Sequence, residues 1–361
     1  MTPVAVTGWS LRTPLGVSID EVLTRLAAGE RAAAPNPRFD ATTYPCTLAA
    51  VIPGQPAKTR HARFVRRMGL WGMQAATDAM RQAGAIGGDR TGVFCGYGGL
   101  RAHWEDILGP LQRQRPDAAG AWEAGLRLLH PFWMLQHLSN NAHALLATDL
   151  GARGEGVTLG GANAGAQALG AAAAALHAGT IDVALVLAYD SLVEPEMVLE
   201  LGMREVESQV VPGEAAAALV LERTEDAGPR ALVRLRAADG ADGARGWPST
   251  RTLVHVARGL GDAELSGPRG LPEQPGLPGL PGLPMLLDGA GVGDEPAVLA
   301  ELGAGATFPS MQRQLGLLGG AAALVQAIVL GSWLRAGRAR SALGLSAGAP
   351  GLCGAVHVDV S

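Results

Sequence analysis

With 361 residues, 48% of them hydrophobic and only 17% charged, the chain carries enough apolar material for a large core, as one big domain or two fused halves, and is not a disordered polymer. Its formal net charge of −4, with arginines scattered among acids, excludes the basic face that a phosphate backbone demands, so nucleic acid is not a partner. Cys46, Cys95 and Cys353 are far apart, odd in number and part of no CxxC pair, which excludes a disulfide framework and a structural zinc site and fits a reducing cytoplasm.

The amino terminus, MTPVAVTGWS, lacks the basic and long apolar regions of a secretory signal, and Val4, Ala5 and Val6 open a core strand. Ser18 then caps a helix with Glu21 three residues on, a capping box, and Gly29 ends it. Residues 64–82 place Val65, Met68, Trp71, Ala75, Ala79 and Met80 at helical spacing, with Gly84 as the stop. Residues 91–96 read as a strand, and residues 101–127 as a polar and aromatic excursion. The stretch HPFWMLQHLSNNAHALL, from His130, gathers aromatic, Met and His side chains in a chain with 4% aromatics. It reads either as a helix packed in the core or as an interface. Metal binding by His130, His137 and His143 is not expected, because their spacing misses the i, i+4 pattern of a helical site.

From Val157 the chain runs VTLGGANAGAQALGAAAAALHAG, a strand, a tight glycine turn and a helix; residues 182–188 follow as a strand apolar enough to be buried on both faces. This is a βαβ unit, with a further strand over 216–222 and a charged stretch over 222–229 as the natural boundary, giving halves 1–225 and 226–361. A strand opens at Ala231, and GPRGLPEQPGLPGLPGLP has too few triplets for collagen and reads as an extended surface linker. The Ala-rich helix at 320–334 and a strand at 355–360 close the chain. Segments 159–179 and 315–334 are apolar enough to resemble membrane spans. Asn163, Gln167, His177 and Gln326 make them poor ones, and buried core helices are the expectation.

VAVTGWSLRTPLGVSIDEVLTRLAAGERA, RFVRRMGLWGMQAATDAMRQAGA, DRTGVFCGYGG and the GEAAAALVLE run from Gly213 together resemble the β-ketoacyl-acyl-carrier-protein synthases. The resemblance implies an α/β, thiolase-like fold of two similar βαβαβαββ halves, stacked as layers with helices between two mixed sheets. Active members present a cysteine at the elbow, made acidic by a helix N-terminus, and two histidines that stabilise the enolate and oxyanion of a decarboxylative condensation.

Aligned on that pattern, the cysteine corresponds to Ala162, the histidine of His-Gly-Thr-Gly-Thr to Asp288 in DGAGVGD, and the second histidine to Gly316 in LGLLGGAAA or a residue within two of it. No histidine lies between His255 and His357, and residues 303–318 hold no lysine. The resemblance therefore implies a non-catalytic member, a chain-length factor of a type II polyketide synthase. Aromatic chain-length factors carry glutamine at the lost cysteine, whereas Ala162-Asn163 here is closer to the highly reducing, polyene-forming kind. Its partner would be an active ketosynthase, in a heterodimer or a pair of them, with carrier-protein docking mainly through that partner. No cofactor is implied. Phe132, Trp133, Met134 and His137, with Ala162 and Asn163, become candidate tunnel and interface residues. Two alternatives stay open: a condensing or acyl-transferring enzyme using Asp288 or Cys95, and a homodimeric acyl-binding protein.

Overall fold

The protein is described by a computed structural model over residues 2–98, 106, 109, 128–203, 210–260, 284–288, 295–302, 306–307 and 311–360. Apart from a small two-stranded sheet of Ala34–Pro35 and Leu48–Ala49, the described strands form one main sheet, to which the first part of the chain gives β1 (Val4–Arg12), β2 (Thr91–Tyr97), β3 (Val157–Gly160), β4 (Val183–Ser191) and β5 (Glu214–Arg223). Five follow: β6 (Val233–Ala241), β7 (Pro284–Asp288), β8 (Ala306–Thr307), β9 (Ser341–Gly348) and β10 (Leu352–Asp359). The first set is ordered β1-β5-β4-β2-β3 and the second β6-β10-β9-β7-β8, so the sixth strand repeats the place of the first and so on through the set. Strand directions repeat too. β5 is antiparallel to both of its neighbours, as is β10, and the remaining contacts within each set are parallel. The two sets meet where Val4 to Val6 pair antiparallel with Leu235 to Val233, which joins them into one ten-stranded sheet.

Helices α1 (Ile19–Ala27), α2 (Arg67–Ala83), α3 (Trp133–Gln136), α4 (Asn141–Leu150), α5 (Ala164–His177) and α6 (Pro195–Met203) belong to the first part of the chain. The second part holds α7 (Thr250–Gly259), α8 (Glu295–Leu302), α9 (Met311–Leu315) and α10 (Ala322–Arg335). Ser18 caps α1 by accepting the Glu21 N–H at 3.3 Å, while the Glu21 carboxylate reaches the Val17 N–H instead of that of Ser18. Residues 60–63 form a 3-10 turn before α2, which therefore starts later than its apolar pattern; Gly84 ends it with φ +63°.

Helices α5 and α10 are apolar on almost every side and lie between the two sets of strands, α5 touching β2, β4 and β6, and α10 touching β1, β5, β9 and β10. They are the buried core helices that their composition predicts, and among the described residues no helix is long and apolar enough to cross a membrane. Helix α2 covers the outer face of the first set with Ala75, Ala76 and Ala79, and α7 covers the second with Leu253, Val254 and Ala257. This is the duplicated, layered α/β arrangement that the resemblance implies.

Two expectations were incomplete. Strand β9 escapes a hydrophobic reading because SALGLSAG mixes small and polar residues, although nearly all of it is buried. The charged stretch over 222–229 begins inside β5 and is partly interior: Glu222 is 4% exposed, its carboxylate accepts Thr7 Oγ1 at 2.8 Å and takes both terminal guanidinium nitrogens of Arg230 at 2.6 Å. The excursion at 101–127 lies outside the described residues except Asp106 and Gly109, as does the linker at 267–284 except Pro284.

Candidate functional site

The elbow is built as the sequence pattern indicates. Strand β3 ends at Gly160, Gly161 takes φ +126° and donates its N–H to Tyr97 O at 3.0 Å, and the chain turns into α5 at Ala164. A side chain at Gly161 would be strained there, which leaves Ala162 to present the first side chain at the tip. Its methyl group packs against Gly348 of β9, where an added Cβ would lie 2.3 Å from it. Asn163 is 3% exposed and does not cap α5. Its Nδ2 reaches Asp239 Oδ2 and Gly240 O, both at 3.4 Å, and Gln167 donates to the same Asp239 oxygen at 3.3 Å. Asn163 thus ties the elbow to β6 of the second set.

Ala162 opens on a cavity of about 190 Å³ at the junction of the two sets. Leu192, Met197, Leu201, Leu317 and Leu352 supply apolar walls, Asp190 and Glu200 the charged groups, and glycines 98, 161, 319 and 348 most of the remainder. Among the described residues lining it there is no cysteine, serine, histidine, lysine or arginine. Gly316 and Leu317 part company at the cavity. Gly316, at φ +75°, packs on Ala50, Val211 O and Gly213, whereas Leu317 faces the cavity. Asp288 is the last residue of β7, in register with Ser346 of β9.

The stretch from His130 folds as the short helix α3 and then α4, not as one core helix. Phe132 stacks edge-on against Phe64 with ring centres 5.1 Å apart, and Trp133 lies 4.7 Å from the His137 ring. Asn141 anchors the segment through Leu135 O at 2.7 Å and Phe64 O. Met134 is 74% exposed, and Leu135 and Leu138 are exposed beside it. His137 lines a second cavity of about 240 Å³, together with Val65, Met68, Tyr97, Ala142 and Tyr189. Burial pushes its imidazole below the usual histidine range, against the bond from Nδ1 to Trp133 O. Burial also lowers His143, whose Nδ1 meets Thr158 Oγ1 of β3 at 2.8 Å, and His130 Nδ1 accepts the Phe132 N–H, so each of the three histidines has its own protein contact.

The thiols sit elsewhere. Cys95 is fully buried in β2, and burial raises its pKa to about 12 despite a hydrogen bond with Tyr189; Cys353 is raised likewise to about 12. Neither lines the elbow cavity.

The residues that the sequence does not single out are Asp190, Leu317 and Gly348. One signal was available for Asp190, an acid directly after the apolar run of β4. Nothing in the sequence marks Gly348, which reaches Ala162 from 186 positions away.

The duplicated sheets, the central helices and an elbow at their junction define a thiolase-like protein. Residues 1–227 match the family model described as β-ketoacyl synthase, N-terminal domain, and the chain belongs to the β-ketoacyl synthase family. It is 29% identical over 164 residues to the chloroplastic 3-oxoacyl-[acyl-carrier-protein] synthase I of Hordeum vulgare, a match covering 42% of this chain and 34% of that protein. Among solved structures, it superposes on the ishigamide ketosynthase/chain length factor with a TM-score of 0.80 at 18% identity, over 99% of both chains. A β-ketoacyl synthase from Burkholderia phymatum gives 0.79 at 18% over the whole of both chains. A type II polyketide synthase acyl-carrier protein in complex with its ketosynthase gives 0.74 at 16% over 99% of both.

Proposed function

We propose that this chain is a non-catalytic, ketosynthase-like subunit, a chain-length factor that pairs in the cytoplasm with an active ketosynthase of a type II polyketide synthase. One observation carries the reading: the described wall of the elbow cavity offers no thiol, no hydroxyl side chain, no imidazole and no ammonium group, and presents Ala162 and Leu317 instead. A condensing site needs a thiolate to take the acyl group and donors aimed at the developing oxyanion; methyl and isobutyl groups do neither. The buried thiol of Cys95, with its raised pKa, offers no substitute.

The partner in this reading supplies the cysteine, both histidines and most of the carrier-protein docking. Its covering of this chain would begin at β3, the edge of the sheet, which among the described residues pairs only with β2, and extend over the exposed Met134 and Leu138. Phe132, Trp133, Met134 and His137 would then close the end of the partner's tunnel and limit growth by bulk, because a filled interior does not admit further methylenes without strain. The departure at Ala162-Asn163 from the glutamine of aromatic chain-length factors supports a product of the polyene class.

The test is co-expression with a cognate ketosynthase, size-exclusion chromatography with mass detection, and carrier-protein elongation assays on each subunit and the complex. A stable heteromer, active only with the partner's cysteine intact, is the expected result. Turnover by this chain alone, or a lasting homodimer indifferent to the ketosynthase, would overturn it.

A further inference from the structure

The elbow cavity and the cavity beside His137 share just two described lining residues, Gly98 and Asp190. Asp190 lies at the end of β4 and is 3% exposed. One carboxylate oxygen accepts the Ser191 N–H at 2.8 Å, and the other accepts the Gly320 N–H at 2.9 Å. Backbone closes in from both sides: a Cβ added to Gly98 would fall 1.8 Å from Asp190 Oδ1, and one added to Gly319 would fall 2.1 Å from Oδ2. The carboxylate therefore fills the gap between two glycine backbones from opposite halves of the chain. Among the described residues, an apolar chain passing between the two cavities would have to displace it, which would strip the Ser191 and Gly320 N–H groups of a buried acceptor.

We infer that Asp190 is the partition that ends the elbow cavity, making it a blind chamber and excluding an extended acyl chain from this subunit's interior. Its residue type suits the task. A leucine of similar reach would leave the two N–H groups unsatisfied, and a smaller residue would join the two cavities into one passage from Ala162 toward Met68 and Ala142. The inference deepens the chain-length-factor reading and rests on it for its biological meaning: growth is confined to the partner because this chain's own path is shut. The geometry makes no use of the partner.

The test tethers a chain at the elbow. The full-length A162C protein is treated with a decyl methanethiosulfonate bearing a terminal diazirine; the thiolate introduced at the elbow displaces methanesulfinate and forms the mixed disulfide. After photolysis, adducts are mapped by peptide mass spectrometry. With Asp190 present, and equally with D190N, which keeps the bulk, adducts should fall on residues 192–201 or 317–319 and be absent from residues 65–69 and 142. With D190A, shown to be folded by circular dichroism, adducts at 65–69 and 142 should appear; D190S serves if D190A does not fold. Adducts at 65–69 with Asp190 intact would overturn the inference by themselves, without any variant at 190. A folded D190A or D190S protein whose adducts stay at the elbow would overturn it too. No activity or partner enters the readout, so failure of the co-expression assay and failure of this one are separate results.

Discussion

Helices α5 and α10 hold equivalent places in the two halves of the fold, yet they are made of opposite materials. Helix α5 reads AGAQALGAAAAALH and α10 reads AALVQAIVLGSWLR. The difference is complementary: small residues on α5 let backbones approach until Gly165 lies where a Cβ would stand 2.6 Å from Gly320 O, and the bulk of α10 fills what remains. A symmetric core of two large helices would not close, and one of two small helices would leave voids. The same asymmetry continues at the strand ends. The first set buries an ion cluster at the start of β5, and the second buries a neutral imidazole in β10.

The sharpest way to break this comparison is to make α5 resemble α10. Gly165→Val forces a branched side chain onto Gly320 O and Leu324, and should cost about 3 kcal/mol or more, read as loss of soluble protein or a collapsed urea midpoint. Next comes the ion cluster. Glu214 is fully buried, Arg67 grips both of its oxygens, Ile52 donates its N–H at 2.8 Å and Arg38 stands 3.6 Å away. Glu214→Gln leaves Arg67 without its counter-charge and should destabilise by about 3 kcal/mol in denaturant titrations.

The imidazole gives a pH-dependent contrast. Burial pushes His357 down to about 4; Asp359 opposes the shift, and Arg236 and Arg234 add to it. A histidine held neutral in the folded chain and titrating near 6.5 when unfolded contributes its stability fully above about pH 6.5. That contribution is lost as pH falls from there toward about 4. The loss should amount to about 3 kcal/mol and be absent from His357→Gln, measured by urea unfolding at about pH 7 and about pH 4. The smallest stability effect belongs to Met134→Ala at the exposed face. Stability should move by less than about 0.5 kcal/mol, while the complex makes a longer product; an unchanged product from an assembled complex removes Met134 from the proposed tunnel wall.

Most of the fold was legible because period and punctuation survive in one dimension. Val4 to Val6, the helix stopped by Gly84, the buried run of β4 and the elbow at Gly161 are local patterns, each bounded by its own glycine or cap. Strand β9 was not legible, because its small residues are chosen by what packs on them: Gly344 lies against Gln326 and Val356, and Gly348 against Ala162. The elbow site was half legible. Ala162 lies at the tip of a turn that the glycines mark, whereas Leu317 at the cavity wall has no local signal, and the turn after α9 sets its neighbour Gly316 against Ala50 and Gly213.

The sequence by itself determined most of the element types, the βαβ order of the first half and the residues Gly161-Ala162-Asn163 at the elbow, since these follow from hydrophobic period, caps and residue identity. Only the tertiary structure decided that Asp190 stands between two cavities and that Asn163 ties the elbow to Asp239. Only it shows Glu222, in a stretch that reads as a charged linker, to be a buried partner of Arg230. These facts join residues 76 and 130 positions apart, or turn on which face of a strand is covered. An acid's chemistry is set by its neighbours and its access to water, and both are fixed only when the chain has closed.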